Sequence, residues 1–134
     1  MFRRPKAAAA ALVALLVVGA GGLHAQQRGA VAEPERVVIA FIEAINRGDR
    51  AAALALVAED ACVGYTGSCL QAARLERWWG SDIFDVQGRI EDYRLTSDAQ
   101  GVSVVGTYRS TGWTGRANYR FTVRDGRITG WDLR

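Results

Sequence analysis

The side chains that most often carry out acid–base or metal chemistry are almost missing from this chain. It has one histidine, His24, and one lysine, Lys6, and both fall within the first 25 residues. If this segment is a cleaved export signal, the mature chain has neither. Without histidine the commonest general base and metal ligand is absent, and without lysine there is no amine for Schiff-base chemistry. The serines, none of which has a histidine to activate it, are Ser68, Ser81, Ser97, Ser103 and Ser110. We therefore expect no metal site and no cofactor.

Two cysteines, Cys62 and Cys69, are the other reactive side chains. In an oxidising compartment such a pair is a natural disulfide, and closing this short loop contributes roughly 2–3 kcal/mol in the chain-entropy model. Free thiols, a redox couple or a metal clip are the alternatives. Two thiolates without histidine do not complete a tetrahedral zinc site unless distant acids contribute, and the spacing is not C-x-x-C. The pair favours a structural disulfide.

Residues 1–25 have the three parts of a secretory signal peptide. Three basic residues lie within the first six, an unbroken small and apolar run follows over residues 7–18, and Leu23-His24-Ala25 is a tolerable cleavage site. This order predicts export to the periplasm or secretion. The alternative is an uncleaved membrane anchor, since residues 7–23 reach the short edge of a membrane span.

The charge balance changes once the signal peptide is set aside. The chain has 17 basic and 14 acidic residues; three of the basic ones lie in the signal peptide, and all of the acids lie beyond residue 32. The remainder is therefore near neutrality, and it has no basic surplus to bind nucleic acid. We expect residues 26–33 to form a flexible arm and residues 34–134 to form one domain.

The first half of that domain has a helical pattern. Pro34 suits a first helical turn, Gly48 suits a left-handed stop, and Asp49 can cap a second helix over residues 50–57. The first helix has an apolar stripe at helical spacing, formed by Val37, Val38, Phe41, Ile42 and Ile45.

A short strand and a third helix follow. Ala61–Tyr65 is predicted to be the strand. Ser68 and Gln71 form a capping box for a helix over Cys69–Trp79, which Gly80 ends.

The second half alternates β-branched and aromatic residues between turns. The strongest turn signal is Asp125-Gly126, which predicts a two-residue hairpin. Helices followed by an antiparallel meander indicate an α+β domain. The predicted strands are Val86–Thr96, Val102–Ser110, Arg116–Arg124 and Arg127–Leu133.

These residues resemble the NTF2-like superfamily, which includes SnoaL-like proteins and ketosteroid isomerases. The opening VVIAFIEAINRGDRAAALALVAEDA has "GD" at Gly48-Asp49 and "ED-A" at residues 59–61, and the ending YRFTVRDGRITGWDLR resembles the last hairpin. The resemblance covers residues 34–134. It implies a cone of three N-terminal helices packed on a curved, mainly antiparallel sheet, one apolar pocket, and often a homodimer made through the sheet.

The catalytic residues of the isomerases are not matched. The resemblance puts Phe41 where those enzymes have an oxyanion-donating tyrosine, Tyr65 near their general base, and Ala117 at their second acid, with Asn118 as its neighbour if the register slips. Fold membership alone does not imply the reaction.

An unbroken hairpin at Asp125-Gly126 pairs Phe121 with Gly130 and Tyr119 with Asp132. This predicts Tyr119 and Asp132 in the pocket, although Asp132 at a frayed, solvated C-terminus is the alternative. The predicted pocket residues are Phe41, Tyr65, Trp79, Tyr119, Phe121 and Asp132, and the opposite face, with Arg120, Trp131 and Leu133, is the predicted interface. Trp113 at a hairpin tip is either a lid or an exposed contact residue.

These features favour an exported binding module for a small apolar ligand or a protein partner over an enzyme. The alternative is a SnoaL- or isomerase-like enzyme with a rearranged acid–base site using Asp132, Tyr65 or Tyr119. A membrane partner is expected only if the N-terminal segment is uncleaved, and a nucleic-acid partner is not expected.

The signal-peptide interpretation predicts a mature N-terminus near Gln26. Mass spectrometry of the protein recovered from its native host measures this directly. An intact chain beginning at Met1 and held in the membrane fraction would instead establish the uncleaved anchor.

Overall fold

A computed structural model describes residues 32–65, 69, 77 and 80–134. Within them, two α-helices precede a five-stranded sheet, and a π-helical turn separates the first strand from the other four. The helices are α1 (Glu33–Asn46) and α2 (Arg50–Ala55), the π turn is Gly80–Phe84, and the strands are β1 (Val57–Tyr65), β2 (Arg89–Asp98), β3 (Gly101–Arg109), β4 (Thr114–Arg124) and β5 (Arg127–Leu133).

The helix boundaries follow their local signals. Proline lies in the first turn of α1, Gly48 takes a left-handed φ of 69° after it, and the Asp49 side chain accepts a hydrogen bond from Ala52 N at 3.1 Å. The second helix is shorter than predicted because the chain enters the sheet early. The Leu56 carbonyl already accepts a bond from Ile128 N at 2.8 Å, and β1 begins at Val57.

The predicted third helix and its capping box lie largely outside the described residues. Gly80, predicted to end that helix, begins the π turn, which is closed by an Asp85 N to Gly80 O bond of 2.7 Å. This turn and the four residues after it delay β2 to Arg89, three residues later than predicted.

The strands form one sheet in the order β1-β5-β4-β3-β2. The last four are an antiparallel meander, and β1 pairs in parallel with β5 at the opposite edge. The α+β class and the mainly antiparallel sheet are confirmed. Both β1 and β2 contain register shifts, and such bulges bend and twist the strands that contain them.

The last hairpin corrects the predicted register. Its turn is as predicted, with Arg124 opposite Arg127 and Val123 opposite Ile128, but Thr122 then faces Gly130 because Thr129 is bulged out of β5. One extra residue exchanges the two faces for the rest of the strand. The resulting pairs are Phe121–Trp131, Arg120–Asp132 and Tyr119–Leu133.

The core lies between α1 and the inner face of the sheet. The apolar stripe of α1 is buried, and Phe41 is its aromatic member. The Phe41 ring meets Phe121 and Trp131 edge-on, with centroids 5.7 and 5.3 Å away, and Phe121 stacks on Trp131 at 5.4 Å. Such aromatic pairs stabilise a core beyond the area they bury.

Asn46, the last residue of α1, joins the helix to the edge of the sheet. Its Nδ2 donates to the Ile90 carbonyl at 2.9 Å, and its Oδ1 accepts from Ile90 N at 2.8 Å. The side chain therefore satisfies both backbone groups of one residue on the edge strand β2, as a neighbouring strand would.

The predicted disulfide is present. Cys62 of β1 is bonded to Cys69, with a Cα–Cα distance of 4.8 Å. None of the described helices is long and apolar enough to cross a membrane.

Candidate functional site

A pocket of about 360 Å³ lies where α1, the π turn and the inner face of the sheet meet. This volume is within the range of small-molecule sites, at its lower end. Its apolar lining consists of Ile45, Ile83, Ile90, Trp131 and Leu133, with the Tyr119 ring beside them.

Polar and aromatic residues from the π turn, the strands and the residues beside them also border this pocket. The π turn provides Asp82, the end of β3 and the following turn provide Tyr108 and Trp113, and β4 with the residue after β5 provides Arg116 and Arg134. The described lining is thus predominantly apolar, and its charged residues are all exposed.

Tyr108 holds the π turn in place. Its hydroxyl donates to the Asp82 carbonyl at 2.7 Å, and Gly88 N donates to Ile83 O at 2.6 Å. A Cβ at Gly88 would lie 2.6 Å from the Tyr108 hydroxyl oxygen, so only glycine lets the phenol reach the turn. Single π turns occur frequently at functional sites.

The environment of Tyr108 favours its neutral form. Burial, and then the charge of Asp82, raise the pKa of the Tyr108 hydroxyl above its ordinary value near 10, while a hydrogen bond with Ser110 opposes them. The phenol therefore remains a hydrogen-bond donor at neutral pH.

Trp113 lies at the pocket beside the β3–β4 turn. The residue is 57% exposed, and its ring centroid is 5.4 Å from that of Tyr108. A Cβ at Gly115 would overlap the indole carbons, so glycine at this position leaves the room that the ring occupies. Ser110 N and Oγ both donate to the Trp113 carbonyl, at 2.8 and 3.2 Å. Trp113 both contacts its own domain and offers an exposed aromatic surface to the pocket.

The six predicted pocket residues divide between the pocket, the core and the undescribed part of the chain. Tyr119 lines the pocket, whereas Phe41 and Phe121 have no exposed surface and are core residues, not pocket residues. Tyr65 ends β1 with its backbone beside Leu133, but its side chain and all of Trp79 lie outside the described part.

Asp132, the sixth, is on the wrong face for the predicted pair with Tyr119. The bulge at Thr129 pairs it with Arg120 instead. The Arg120 guanidinium lies 2.7 Å from Asp98, donates to Ser103 Oγ at 3.0 Å, and holds the pKa of Asp98 below its ordinary range.

The same bulge corrects the predicted interface. Trp131 is only 2% exposed and lies in the core and pocket wall, and Leu133 lines the pocket as well. Of the three predicted interface residues, only Arg120 remains opposite the core-facing side chains of β4. The aromatic and aliphatic contacts expected to form an interface therefore face the pocket.

Several pocket residues were missed from the sequence. Asp82 and Ile83 depend on a π turn, which has no periodic signature, while Tyr108 follows from the alternation of β3. Ile45 was identified only as core, and Arg116 and Arg134 had no distinguishing spacing.

No family model matches the chain, and no curated protein matches it. Solved structures do. An NTF2-like protein of unknown function from Cytophaga hutchinsonii is 17% identical, with a TM-score of 0.65 over 78% of this chain and 90% of the other. A Δ5-3-ketosteroid isomerase from Mycobacterium sp. is 20% identical, with a TM-score of 0.65 over 78% and 93%. A computationally designed 17-OHP binder is 17% identical, with a TM-score of 0.65 over 78% and 92%.

These similarities show the architecture of the chain. It has the NTF2-like fold, as the sequence resemblance predicted. At these identities the similarity establishes the fold and not the reaction.

Tyr108→Phe tests how the π turn is held. Loss of the bond to the Asp82 carbonyl should cost about 1 kcal/mol of unfolding free energy at neutral pH. Because the unfolded phenol ionises near pH 10 and the folded one only above that, wild-type stability should fall as pH rises beyond about 10. In the variant, the free energy of unfolding should decrease less above this pH than it does in the wild type.

Urea unfolding at pH 7, 9 and 10.5 provides the measurement. Tyr93→Phe is the matched control, because burial and then Glu43 also raise the pKa of Tyr93, yet Tyr93 does not border the pocket. The control should also reduce the alkaline fall, without disturbing the π turn. An alkaline profile unchanged in Tyr108→Phe would contradict the assignment.

Proposed function

We propose that the protein is a binding module that holds a small apolar ligand in this pocket. The observation that carries the proposal is a cavity of about 360 Å³ with a wall of large apolar side chains. Apolar walls with a few placed polar groups are the usual form of a small-molecule site.

The relation between core and pocket supports this function. Trp131 belongs to the aromatic cluster and also borders the cavity, so one side of it is fixed by Phe41 and Phe121. A wall fixed in this way is preorganised, which reduces the ordering cost of binding. The designed 17-OHP binder has the same fold, so this architecture is compatible with small-molecule binding.

The protein-partner alternative has lost its main support. It depended on Trp131 and Leu133 lying on the outer face, and both line the pocket. The large apolar side chains exposed among the described residues are Val105 and Trp113, and Trp113 borders the pocket. A homodimer through the sheet has no equivalent apolar centre in the described residues.

Binding of 2-naphthalenemethanol, followed by titration calorimetry, tests the module. We expect saturable one-to-one binding with a negative heat-capacity change, since apolar surface is buried. Leu133→Glu should weaken binding at least about tenfold, because it puts a carboxylate in an apolar wall.

Val105→Glu is the matched control, since Val105 is 40% exposed and does not border the pocket. It should bind as the wild type does, and thermal unfolding checks that both variants fold. Failure of the wild type to bind this alcohol, a steroid ketone and decanol would refute the module. Binding unaffected by Leu133→Glu would place the ligand elsewhere.

A second candidate function is an enzyme with a rearranged acid–base site. The observation that favours it is Asp82, a carboxylate bordering a pocket that also contains the Tyr108 and Tyr119 phenols. In such a site Asp82 would take the α-proton of an enolisable ketone. Because the Tyr108 hydroxyl already donates to the Asp82 carbonyl, Tyr119 would donate to the ketone oxygen as its negative charge develops.

Exchange of the α-proton for deuterium in a panel of enolisable ketones tests this second function. If the wild type catalyses exchange, Asp82→Asn should lower the rate at least about 100-fold, the scale of one general-base contribution. Asp132→Asn is the matched control, because Asp132 lies opposite Arg120 and away from the pocket, and it should keep the wild-type rate. Absence of exchange in the wild type would leave the binding module alone.

We also propose that the protein works outside the cytoplasm, after cleavage near Gln26. Support comes from the tripartite N-terminal segment and from the Cys62–Cys69 disulfide, a bond typical of oxidising compartments.

A further inference from the structure

The charges around the pocket are unequal. Two arginines, Arg116 and Arg134, border it, against one carboxylate, Asp82. All three residues are exposed. The Asp82 carboxylate already accepts a hydrogen bond from the Ser81 hydroxyl at 3.0 Å, whereas neither arginine forms an ion pair with any residue that the structure describes.

The two arginines are close together by strand register. Arg134 N donates to the Asn118 carbonyl at 2.9 Å, which continues the β4–β5 pairing by one residue beyond Leu133. Arg134 is therefore opposite Asn118 and diagonal to Arg116, and such diagonal neighbours lie roughly 7–8 Å apart. Both belong to the row of Arg120, on the face opposite Tyr119, and they border the pocket from its exposed end. Long side chains from both positions can reach one anion.

Two carboxylates lie near these arginines in the sheet. Glu91, in the strand row of Arg116, bonds Arg109 at 2.7 Å, and Asp132, two residues before Arg134, is opposite Arg120 and does not border the pocket. Asp82 is on the π turn, beside Tyr108. The sheet side of the opening is thus positive and the π-turn side negative, with an excess of one positive side chain.

We propose that the preferred ligand is a small apolar acid, with its apolar body in the pocket and its carboxylate at Arg116 and Arg134. Arginine binds carboxylates through paired, charge-assisted hydrogen bonds, which are stronger than neutral ones. This inference rests on the proposed binding function and adds the chemical class of the ligand.

Three probes with one ring system test the proposal: 2-naphthoic acid, 2-naphthalenemethanol and 2-naphthylmethylamine, titrated at pH 7. The acid should bind about tenfold more tightly than the alcohol, and the amine most weakly, since one charge-assisted contact is enough for such a ratio. Higher salt should reduce the advantage of the acid, because the two arginines are exposed.

Arg116→Gln and Arg134→Gln should each lower binding of the acid severalfold more than binding of the alcohol. Arg124→Gln, at the far end of β4, is the matched control and should change neither. Asp82→Asn should strengthen binding of the acid, because it removes the one carboxylate at the opening. A chain extended by Gly-Gly after Arg134 controls for an α-carboxylate at that residue.

The possible failures are distinguishable. If none of the three probes binds saturably, the binding function itself is wrong, and this inference falls with it. If all three bind equally and Leu133→Glu abolishes their binding, the binding function stands and the inference is overturned. Tightest binding of the amine would also overturn it, and would assign recognition to Asp82.

Discussion

The placement of Trp131 depends on a single extra residue in the last strand. With Thr129 bulged out, Trp131 faces Phe41 and Phe121 and Leu133 faces the pocket. Without the bulge, Gly130 would take the inner position and the indole would be in water. Burial of a large apolar side chain contributes about 1.5–3 kcal/mol, which is enough to favour the irregular strand over the regular one. The same bulge thus places Trp131 in the core and Leu133 in the pocket wall.

Local signals predicted much of the fold. The proline in α1, Gly48, Asp49 and Asp125-Gly126 act through their own backbone preferences, so their effects could be predicted without knowledge of the rest of the chain. The apolar stripe on α1 could equally be predicted, because the residues at helical spacing are also the buried ones. What these signals cannot show is the competition between two registers, since both registers satisfy the same turn.

The candidate site was less predictable than the fold for that reason. Tyr119 lies on β4, which has no extra residue, so simple alternation puts it on the pocket face. Asp132 and Trp131 lie on β5 after the bulge, so each is on the face opposite to the one that alternation predicts. Asp82 could not be found, because its position depends on a hydroxyl 26 residues further along the chain and on the absence of a side chain at Gly88. Long-range contacts of this kind leave no mark in a short window of sequence.

Asn46 has a consequence for how the protein behaves in solution. A strand at the edge of a sheet presents unpaired amide and carbonyl groups, and these are the groups through which separate chains add to one another and aggregate. By bonding both groups of Ile90, the Asn46 amide blocks one such point on β2, and the bulge beyond it interrupts the regular edge. The helix that covers the core therefore also hinders the addition of a strand from another chain at this point of the sheet edge.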